Sequence, residues 1–380
     1  MDSRYAVIVG YARSPFTPAH RGALAGVRPD QLAAEVVRSL IARTAVSPAD
    51  IEDLILGCAF PEGEQGLNLG RLVALQAELP PAVAGATVNR FCGSSMQAMH
   101  MAAGAIALGA GDVFVCAGVE SMSRVPMGGF NPLPHPGFYK RAPEAYISMG
   151  ETAENVARAY SLDRAAQEAF AFDSQQKAAD ARASGRLADE IVPIAAASGT
   201  VTEDGCLRPE TTLASLAALR PAFDAKGTVT AGTSSPLTDG AAAVLVTSEE
   251  YARHHSLTPL ARIRSVAVSG CRPEVMGIGP VGASKKALAR AGIAVGDLDL
   301  VELNEAFASQ ALANIRDLGL DPARINLDGG AIALGHPLGA TGARITGKAA
   351  QLLKRTGGRF ALATQCIGGG QGIATVLEAL

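Results

Sequence analysis

The chain has 380 residues, 48% of them hydrophobic and 18% charged, which is enough for a large core in two or three domains. The formal net charge is −3 and no basic run stands out, which argues against a nucleic-acid-binding protein. The most apolar stretch, residues 101–110, is too short to span a bilayer. We therefore expect no membrane span, and the lack of an N-terminal leader predicts a cytoplasmic protein.

The cysteines suggest neither a metal site nor a disulfide framework. None of the six forms a C-x-x-C pair, and no His cluster accompanies them, so no zinc site is predicted. A chain of this length does not need disulfide bonds for stability. We expect reduced thiols, most of them buried as small hydrophobic side chains.

The first part of the chain alternates strands and helices. In chain order, the pattern predicts a strand at 7–9, a helix at 31–44, a strand at 53–58, a helix at 71–77, a strand beginning at 88, a helix at 94–108 and a strand at 113–117. This order is typical of an α/β protein with a mostly parallel sheet covered by helices.

The pattern changes between residues 120 and 237. Residues 123–143 are rich in Gly, Pro and aromatic residues, which predicts an irregular loop. Residues 152–183 have the charge pattern of a long amphipathic helix. We expect this insertion to carry function on a rigid scaffold.

The last part repeats the first. Its residue pattern predicts, in chain order, a strand at 261–268, a helix at 283–291, a strand at 298–303, a helix at 304–318, a strand at 325–327, a helix at 342–355 and strands at 359–364 and 372–377. Two halves with one element order indicate an internal duplication of about 120 residues each.

Cys92 is the first candidate for chemistry. It lies in NRFCGSSMQA at 89–98, where we expect it to end a strand and begin a helix with a small, polar first turn. The unpaired N–H groups and partial positive charge of a helix N-terminus lower a thiol pKa and favour thiolate. On this context alone, Cys92 is either a catalytic or an inert thiol.

His336 lies in the Gly-rich segment GGAIALGHPLGATGAR at 329–344, before a predicted helix. A lone His is commonly structural or exposed, whereas a His in a Gly-rich strand-to-helix connection favours catalysis. A phosphate-binding loop is the competing interpretation. The spacing fits neither G-x-G-x-x-G nor a G-K-[ST] ending.

Two further segments follow predicted strands. CIGGGQG at 366–372 begins with Cys366, and its glycine N–H groups are suited either to an oxyanion hole or to a tight hairpin. NEAFA at 304–308 begins with Asn304, which either caps a helix or positions a water. Ligands bind at the carboxyl ends of strands in open α/β sheets, so we expect these segments to meet there.

These four segments resemble the signature motifs of the thiolase family, in the family's order and spacing, and the resemblance covers essentially the whole chain. It implies two βαβαβαββ halves in a layered α/β/α/β/α core. The N-terminal half would be residues 1–119 with 238–250, the inserted, CoA-binding loop domain 120–237, and the C-terminal half 251–380. It also implies a homodimer or homotetramer that uses CoA and acyl-CoA as substrates, with no permanent cofactor and no metal.

The resemblance also implies a role for each catalytic residue. Cys92 resembles the acylated nucleophile and His336 the group that activates it. Cys366 resembles the second acid/base, and Asn304 the residue that holds a water in an oxyanion hole with His336. The backbone N–H groups of Cys92 and Gly368 would form the second hole, which faces the acyl oxygen.

CoA contacts are implied by the same resemblance. Ser235 matches a residue at the pantetheine, and Phe223 one that lines the pocket. Arg208 and Ser215 match positions near the adenine and ribose phosphate. Each also has an ordinary structural explanation: a solvated charge for Arg208, a helix-surface hydroxyl for Ser215 and a core position for Phe223.

Subfamily features favour degradative 3-ketoacyl-CoA thiolases of fatty acid β-oxidation. LRPETT at 207–212 and TSS at 233–235 resemble that group. Biosynthetic acetoacetyl-CoA thiolases, which condense two acetyl-CoA, have His-Met where this chain has Ser148-Met149. Met149 and Met276 line the acyl tunnel or lie in the core. A hydratase–dehydrogenase partner in a β-oxidation complex is compatible with this function.

Two other classes are disfavoured. A β-ketoacyl synthase shares the fold but pairs its Cys with two His, or with His and Asn, whereas this chain has His336 and Cys366. A non-catalytic, thiolase-like lipid-binding protein would not need Cys92, His336 and Cys366 together.

Overall fold

A computed structural model describes residues 4–380, so the start of the predicted N-terminal half, residues 1–3, lies outside the described residues. The strands are β1 (Ala6–Arg13), β2 (Thr17–Pro18), β3 (Asp53–Gly57), β4 (Ala84–Val88), β5 (Val113–Ser121), β6 (Ile194–Ala196), β7 (Gly199–Val201), β8 (Thr238–Ser248), β9 (Ala261–Gly270), β10 (Leu300–Leu303), β11 (Phe360–Ile367) and β12 (Gln371–Glu378). The helices are α1 (Pro29–Ala42), α2 (Leu69–Gln76), α3 (Ser94–Leu108), α4 (Pro136–Arg141), α5 (Met149–Ala159), α6 (Arg164–Ala183), α7 (Leu213–Ala217), α8 (Glu249–His254), α9 (Gly279–Ala291), α10 (Ala308–Leu318), α11 (Ala331–Leu334) and α12 (Leu338–Thr356).

Ten strands form one sheet in the order β10-β11-β12-β9-β1-β8-β5-β3-β4, with β2 beside β8. Pairing is parallel between β3 and both β4 and β5, and between β10 and β11. The other neighbouring strands of this sheet pair antiparallel. The prediction of a mostly parallel sheet is therefore wrong, because the last strand of each half, β8 or β12, returns as an antiparallel neighbour on both of its sides.

The duplication is visible in the order of the strands. The first half runs β1-β8-β5-β3-β4 across the sheet, and the second runs β9-β12-β11-β10 in the matching positions. Where the first half has β4, the second has only a parallel bridge between Val301 and Ile325. The predicted strand at 325–327 is thus reduced to one bridged residue. The two halves join through a short pairing of β1 with β9.

Helices α3 and α12 pack against each other at the centre of the molecule. The backbone N–H of Ala343 donates to Ser95 Oγ at 2.8 Å, so the contact includes a hydrogen bond between the halves. A Cβ atom on Gly342 would lie 2.4 Å from the backbone nitrogen of Met96, which explains the glycine at that position. Helix α12 is buried over most of its length, as expected for a helix inside a layered core.

Other predicted elements differ from the structure at their ends. The strand predicted to begin at Val88 ends there. The helix predicted from residue 152 to 183 is two helices, because the chain turns at residues 160–163 and Asp163 caps α6. The predicted irregular loop at 123–143 contains the short helix α4.

Among residues 4–380, no helix is both long and apolar enough to cross a membrane. The same residues contain no group of three or more His, Cys, Asp or Glu side chains arranged to hold a metal ion.

Candidate active site

The predicted functional segments follow strands that end at one edge of each half. The segment with Cys92 follows β4, Asn304 follows β10, and Cys366 is the penultimate residue of β11. The side chain of Gln365 donates to the Cys92 carbonyl at 2.7 Å, so the two halves meet at this edge. The structure therefore brings the four segments of the sequence motifs to one place.

A strained loop presents Cys92. It lies in the connection between β4 and α3, rather than at the end of a strand as predicted. Phe91 has a φ of 43°, in the left-handed region that non-glycine residues rarely adopt. Asn89 Oδ1 accepts from the Phe91 N–H at 2.8 Å, and Ser94 Oγ donates to its carbonyl at 2.6 Å. These bonds hold a conformation that costs on the order of 1–3 kcal/mol, as is typical of functional loops.

The Cys92 thiol is half-buried beside an apolar cluster that includes Ala59, Met122 and Leu338. The backbone N–H of Gly368 reaches the sulfur from the other half of the molecule. Burial nevertheless raises the pKa of Cys92 to about 12. Desolvation thus opposes the effect of the helix N-terminus, which on its own lowers a thiol pKa and favours thiolate.

His336 is buried and held in one tautomer. Its Nδ1 lies 2.6 Å from Thr341 Oγ1, which itself donates to the Pro337 carbonyl at 3.0 Å. Because the single hydroxyl proton of Thr341 is used in that bond, Nδ1 carries the imidazole proton and donates to Thr341. Burial, with a contribution from nearby Arg344, lowers the pKa of His336 to about 3. Nε2 is therefore left as a free base at neutral pH.

Asn304 lies beside this base. Its Nδ2 is 3.4 Å from His336 Nε2, and its Oδ1 has no hydrogen-bond partner within residues 4–380 although it is buried. Asn304 does not cap a helix, because α10 begins at Ala308 and Phe307 occupies the cap position. Its backbone N–H instead continues the sheet by donating to Thr364 at 3.0 Å.

Cys366 and Gly368 lie at the hairpin between β11 and β12. Positive φ angles of 79° and 84° at Gly369 and Gly370 close this turn, so the hairpin interpretation of the segment is correct. The turn also directs the Gly368 N–H to the Cys92 sulfur. Cys366 is buried, and burial together with the neighbouring Cys92 raises the pKa of the Cys366 thiol well above its usual value.

Cys366 belongs to an apolar cluster. Met276, Phe307 and the half-buried Met149 belong to the same cluster as this thiol. Phe223 packs edge-on against Phe307 with ring centroids 5.8 Å apart, and it remains 44% exposed. Phe223 therefore extends the apolar cluster around Cys366 towards solvent.

The remaining predicted contacts lie on the inserted segment. Ser235 is half-buried, and its hydroxyl donates to the Ala306 carbonyl at 3.2 Å, next to Phe307. Ser215 is exposed, and its hydroxyl pairs with Thr212 at the start of α7, which is the helix-surface role. Partial burial, together with the positive charge of nearby Arg21, lowers the pKa of Arg208.

Three residues of this site carry weak signals in the sequence. Phe91 has an unusual backbone that its residue type does not reveal. Thr341 holds the His336 ring, and its hydroxyl one helical turn beyond the His is the signal that could have identified it. Thr238 accepts from the His336 backbone N–H at 3.0 Å across nearly 100 residues of sequence, a contact that only the fold reveals.

Known proteins that are similar to this chain match it over nearly its whole length. Residues 6–250 match the family described as thiolase, N-terminal domain, and residues 257–379 match thiolase, C-terminal domain. A 3-ketoacyl-CoA thiolase of Bacillus subtilis (strain 168) is 49% identical over 389 residues, covering 98% of this chain and 99% of that protein. A 3-ketoacyl-CoA thiolase of Shewanella frigidimarina (strain NCIMB 400) is 51% identical over 385 residues, covering 99% of both.

A solved structure agrees with these sequence relatives. The crystal structure of human mitochondrial 3-ketoacyl-CoA thiolase matches with a TM-score of 0.91 and 38% sequence identity, covering 99% of both chains. Both halves of the sequence and the complete fold thus match the same kind of protein, and the chain belongs to the thiolase family.

Proposed function

We propose that this protein cleaves 3-ketoacyl-CoA with CoA, giving acetyl-CoA and a shortened acyl-CoA through an acyl-Cys92 intermediate. The observation that carries the proposal is the meeting of Cys92, His336 and Cys366 at one edge, with each thiol and the imidazole held neutral by burial. The names of the relatives support the same reaction.

In the first half-reaction, His336 Nε2 takes the Cys92 proton and the sulfur attacks the 3-keto carbon. The N–H groups of Cys92 and Gly368 donate to the resulting oxyanion. Collapse breaks the bond between C2 and C3, and its electron pair leaves on the acetyl-CoA enolate. Protonated His336 and a water held by Asn304 stabilise the enolate oxygen.

Cys366 completes each half-reaction by moving one proton. Its thiol protonates C2 of the enolate, which releases acetyl-CoA and leaves Cys366 as a thiolate. A thiolate with a raised pKa is a strong base, so it then takes the proton of an incoming CoA thiol. The CoA sulfur attacks the acyl-Cys92 thioester, and His336 returns its proton to the departing Cys92.

The residues that we propose to contact CoA lie in the inserted segment, 120–237. We place the pantetheine along Ser235 and Phe223, because both flank Phe307 near Cys366. Arg208 and Ser215 would face the adenine and ribose phosphate, where the additional charge of Arg21 suits a phosphate group. The domain boundaries at 119/120 and 237/238 are part of this proposal.

We also propose a cytoplasmic homodimer or homotetramer that acts in fatty acid β-oxidation, alone or with a hydratase–dehydrogenase partner. All six cysteines are free thiols, which supports a reducing compartment. No metal or permanent cofactor has a role in the proposed proton and acyl transfers.

Replacement of the nucleophile tests the central proposal. Cys92→Ala should lower thiolysis by a factor on the order of 10⁴ or more and abolish the acyl mass that 3-ketoacyl-CoA adds to the wild-type protein. Cys116→Ala is the matched control, because it removes a buried thiol from β5 away from the site. Thiolase turnover by folded Cys92→Ala would refute the assignment.

Cys366→Ala tests whether Cys366 has a role that is distinct from that of Cys92. The variant should still form acyl-Cys92 from an acyl-CoA, but it should lose solvent hydrogen exchange at the α-carbon of acetyl-CoA, followed by NMR. Cys271→Ala removes a neighbouring half-buried thiol and should retain this exchange. Exchange at the wild-type rate in Cys366→Ala would remove its acid/base role.

The neutral state of the Cys92–His336 pair predicts a flat pH profile. The thiol pKa lies above the physiological range and the imidazole pKa below it, so neither group titrates between pH 5.5 and 8. We expect the second-order rate of Cys92 acylation by acetyl-CoA, measured by mass spectrometry, to be constant over this window. A fall in rate with an apparent pKa near 6.5 would show that His336 is not neutral.

Chain-length preference tests the degradative function. Because Met149 and Met276 make the surroundings of Cys366 apolar, 3-keto chains longer than four carbons should be cleaved efficiently. The measurement is kcat/KM for chains of four to sixteen carbons at saturating CoA. Activity confined to acetoacetyl-CoA would favour the biosynthetic alternative.

A further inference from the structure

Glu120 is a buried carboxylate at the carboxyl end of β5 that the proposed reaction does not use. Only 1% of its surface is exposed, and burial of an acid is costly unless its oxygens are fully hydrogen-bonded. Its surroundings therefore indicate what the carboxylate contributes to the protein.

The two oxygens of Glu120 accept from both halves of the molecule. Oε2 accepts from the backbone N–H of Ala59 and from that of Gly339, each at 2.9 Å. Oε1 accepts from the Phe60 N–H at 3.2 Å and from the Gln65 side chain at 2.9 Å. A single oxygen thus joins the loop after β3 to the first turn of α12.

Two of these partners, Ala59 and Gly339, are connected to the groups that are proposed to react. Ala59 belongs to the cluster on which Cys92 packs, and the Ala59 carbonyl accepts from Asn89, which holds the strained Phe91. Gly339 lies in the turn of α12 that also contains Thr341, the partner of the His336 ring. Glu120 therefore contacts the supports of the nucleophile and of its base.

The charge of Glu120 also has a role at α12. This helix begins at Leu338, and Pro337 in the cap position supplies no side-chain hydrogen bond, so Glu120 from the other half takes the place of a cap. Burial raises the pKa of Glu120, whereas the backbone N–H groups oppose that rise. Every protein contact to its oxygens is a donor, and this set of partners suits the ionised form.

We propose that Glu120 is a positioning residue that fixes the separation of Cys92 from His336 across the boundary between the two halves. The inference rests on the proposed roles of those two residues. Errors of about 1 Å in such a separation reduce rates by as much as about 100-fold. Loss of the Glu120 hydrogen bonds should therefore lower the rate of the chemical step more than the affinity for substrate.

The test compares Glu120→Gln and Glu120→Asp in the full-length protein. Gln presents an NH₂ group to backbone donors, and Asp keeps the charge but is one methylene too short to reach both sides. We expect each variant to lower kcat and the single-turnover rate of Cys92 acylation by about 10- to 100-fold, with KM for CoA changed less than about twofold.

Asp30→Asn is the matched control, because Asp30 is also buried and accepts from a helix N-terminal N–H, but in α1 away from the site. It should lower the melting temperature without changing kcat. Wild-type kcat in folded Glu120→Asp would overturn the proposal, even if Glu120→Gln did not fold. Full recovery in Glu120→Asp of a rate lost in Glu120→Gln would also overturn it, since charge alone would then suffice.

These outcomes differ from failure of the proposed function. If Cys92→Ala retains thiolysis, the roles of Cys92 and His336 are wrong and Glu120 has nothing to position. If Cys92→Ala is inactive while both Glu120 variants keep the wild-type acylation rate, the reaction stands and the positioning role of Glu120 is rejected.

Discussion

The contact between α3 and α12 is the constraint on which the rest of the site depends. One helix starts just after Cys92 and the other just after His336. Gly342 allows the backbones to approach, and Ser95 bonds to the Ala343 N–H across the contact. Close packing in the core, which resists deformation, therefore holds the two helices that follow Cys92 and His336, and the Glu120 contacts are proposed to hold the loops that carry these residues.

Burial at this contact determines the electrostatics of the site. Desolvation penalises every charged form, so it raises the pKa of the two thiols and lowers that of the imidazole. The resting site is consequently uncharged at its reacting atoms. Charge must then be created by proton transfer from Cys92 to His336 as the substrate reacts, which explains why the orientation of the imidazole is controlled by Thr341.

Much of this was predictable from the sequence because the signals are local. The one-sided spacing of apolar residues located α1, and the four motifs located the thiols, the imidazole and Asn304. The antiparallel pairing of β8 with β5 and of β12 with β11 was missed. Which strands lie side by side is decided by the topology of the whole sheet, and local sequence patterns do not show it. The Asn304 cap was wrong for a similar reason. Residues 304–307 are held by the sheet and by His336, so the helix starts only at Ala308.

The thiol pKa of Cys92 depends on two opposing effects, of which the sequence shows only one. A helix N-terminus was visible in the sequence, but the depth at which it is buried was not, and the two effects on a thiol pKa have opposite signs. In this fold the donors near Cys92 and His336 are directed at charge that develops later. Asn304 Oδ1 is an acceptor without a partner among the described residues, so in the proposed reaction it acts by holding the water that donates, and the Gly368 N–H favours negative charge on a sulfur that burial keeps neutral. Groups that gain their full hydrogen bonds only when the oxyanions form stabilise the transition state more than the ground state, and this difference is what accelerates a reaction.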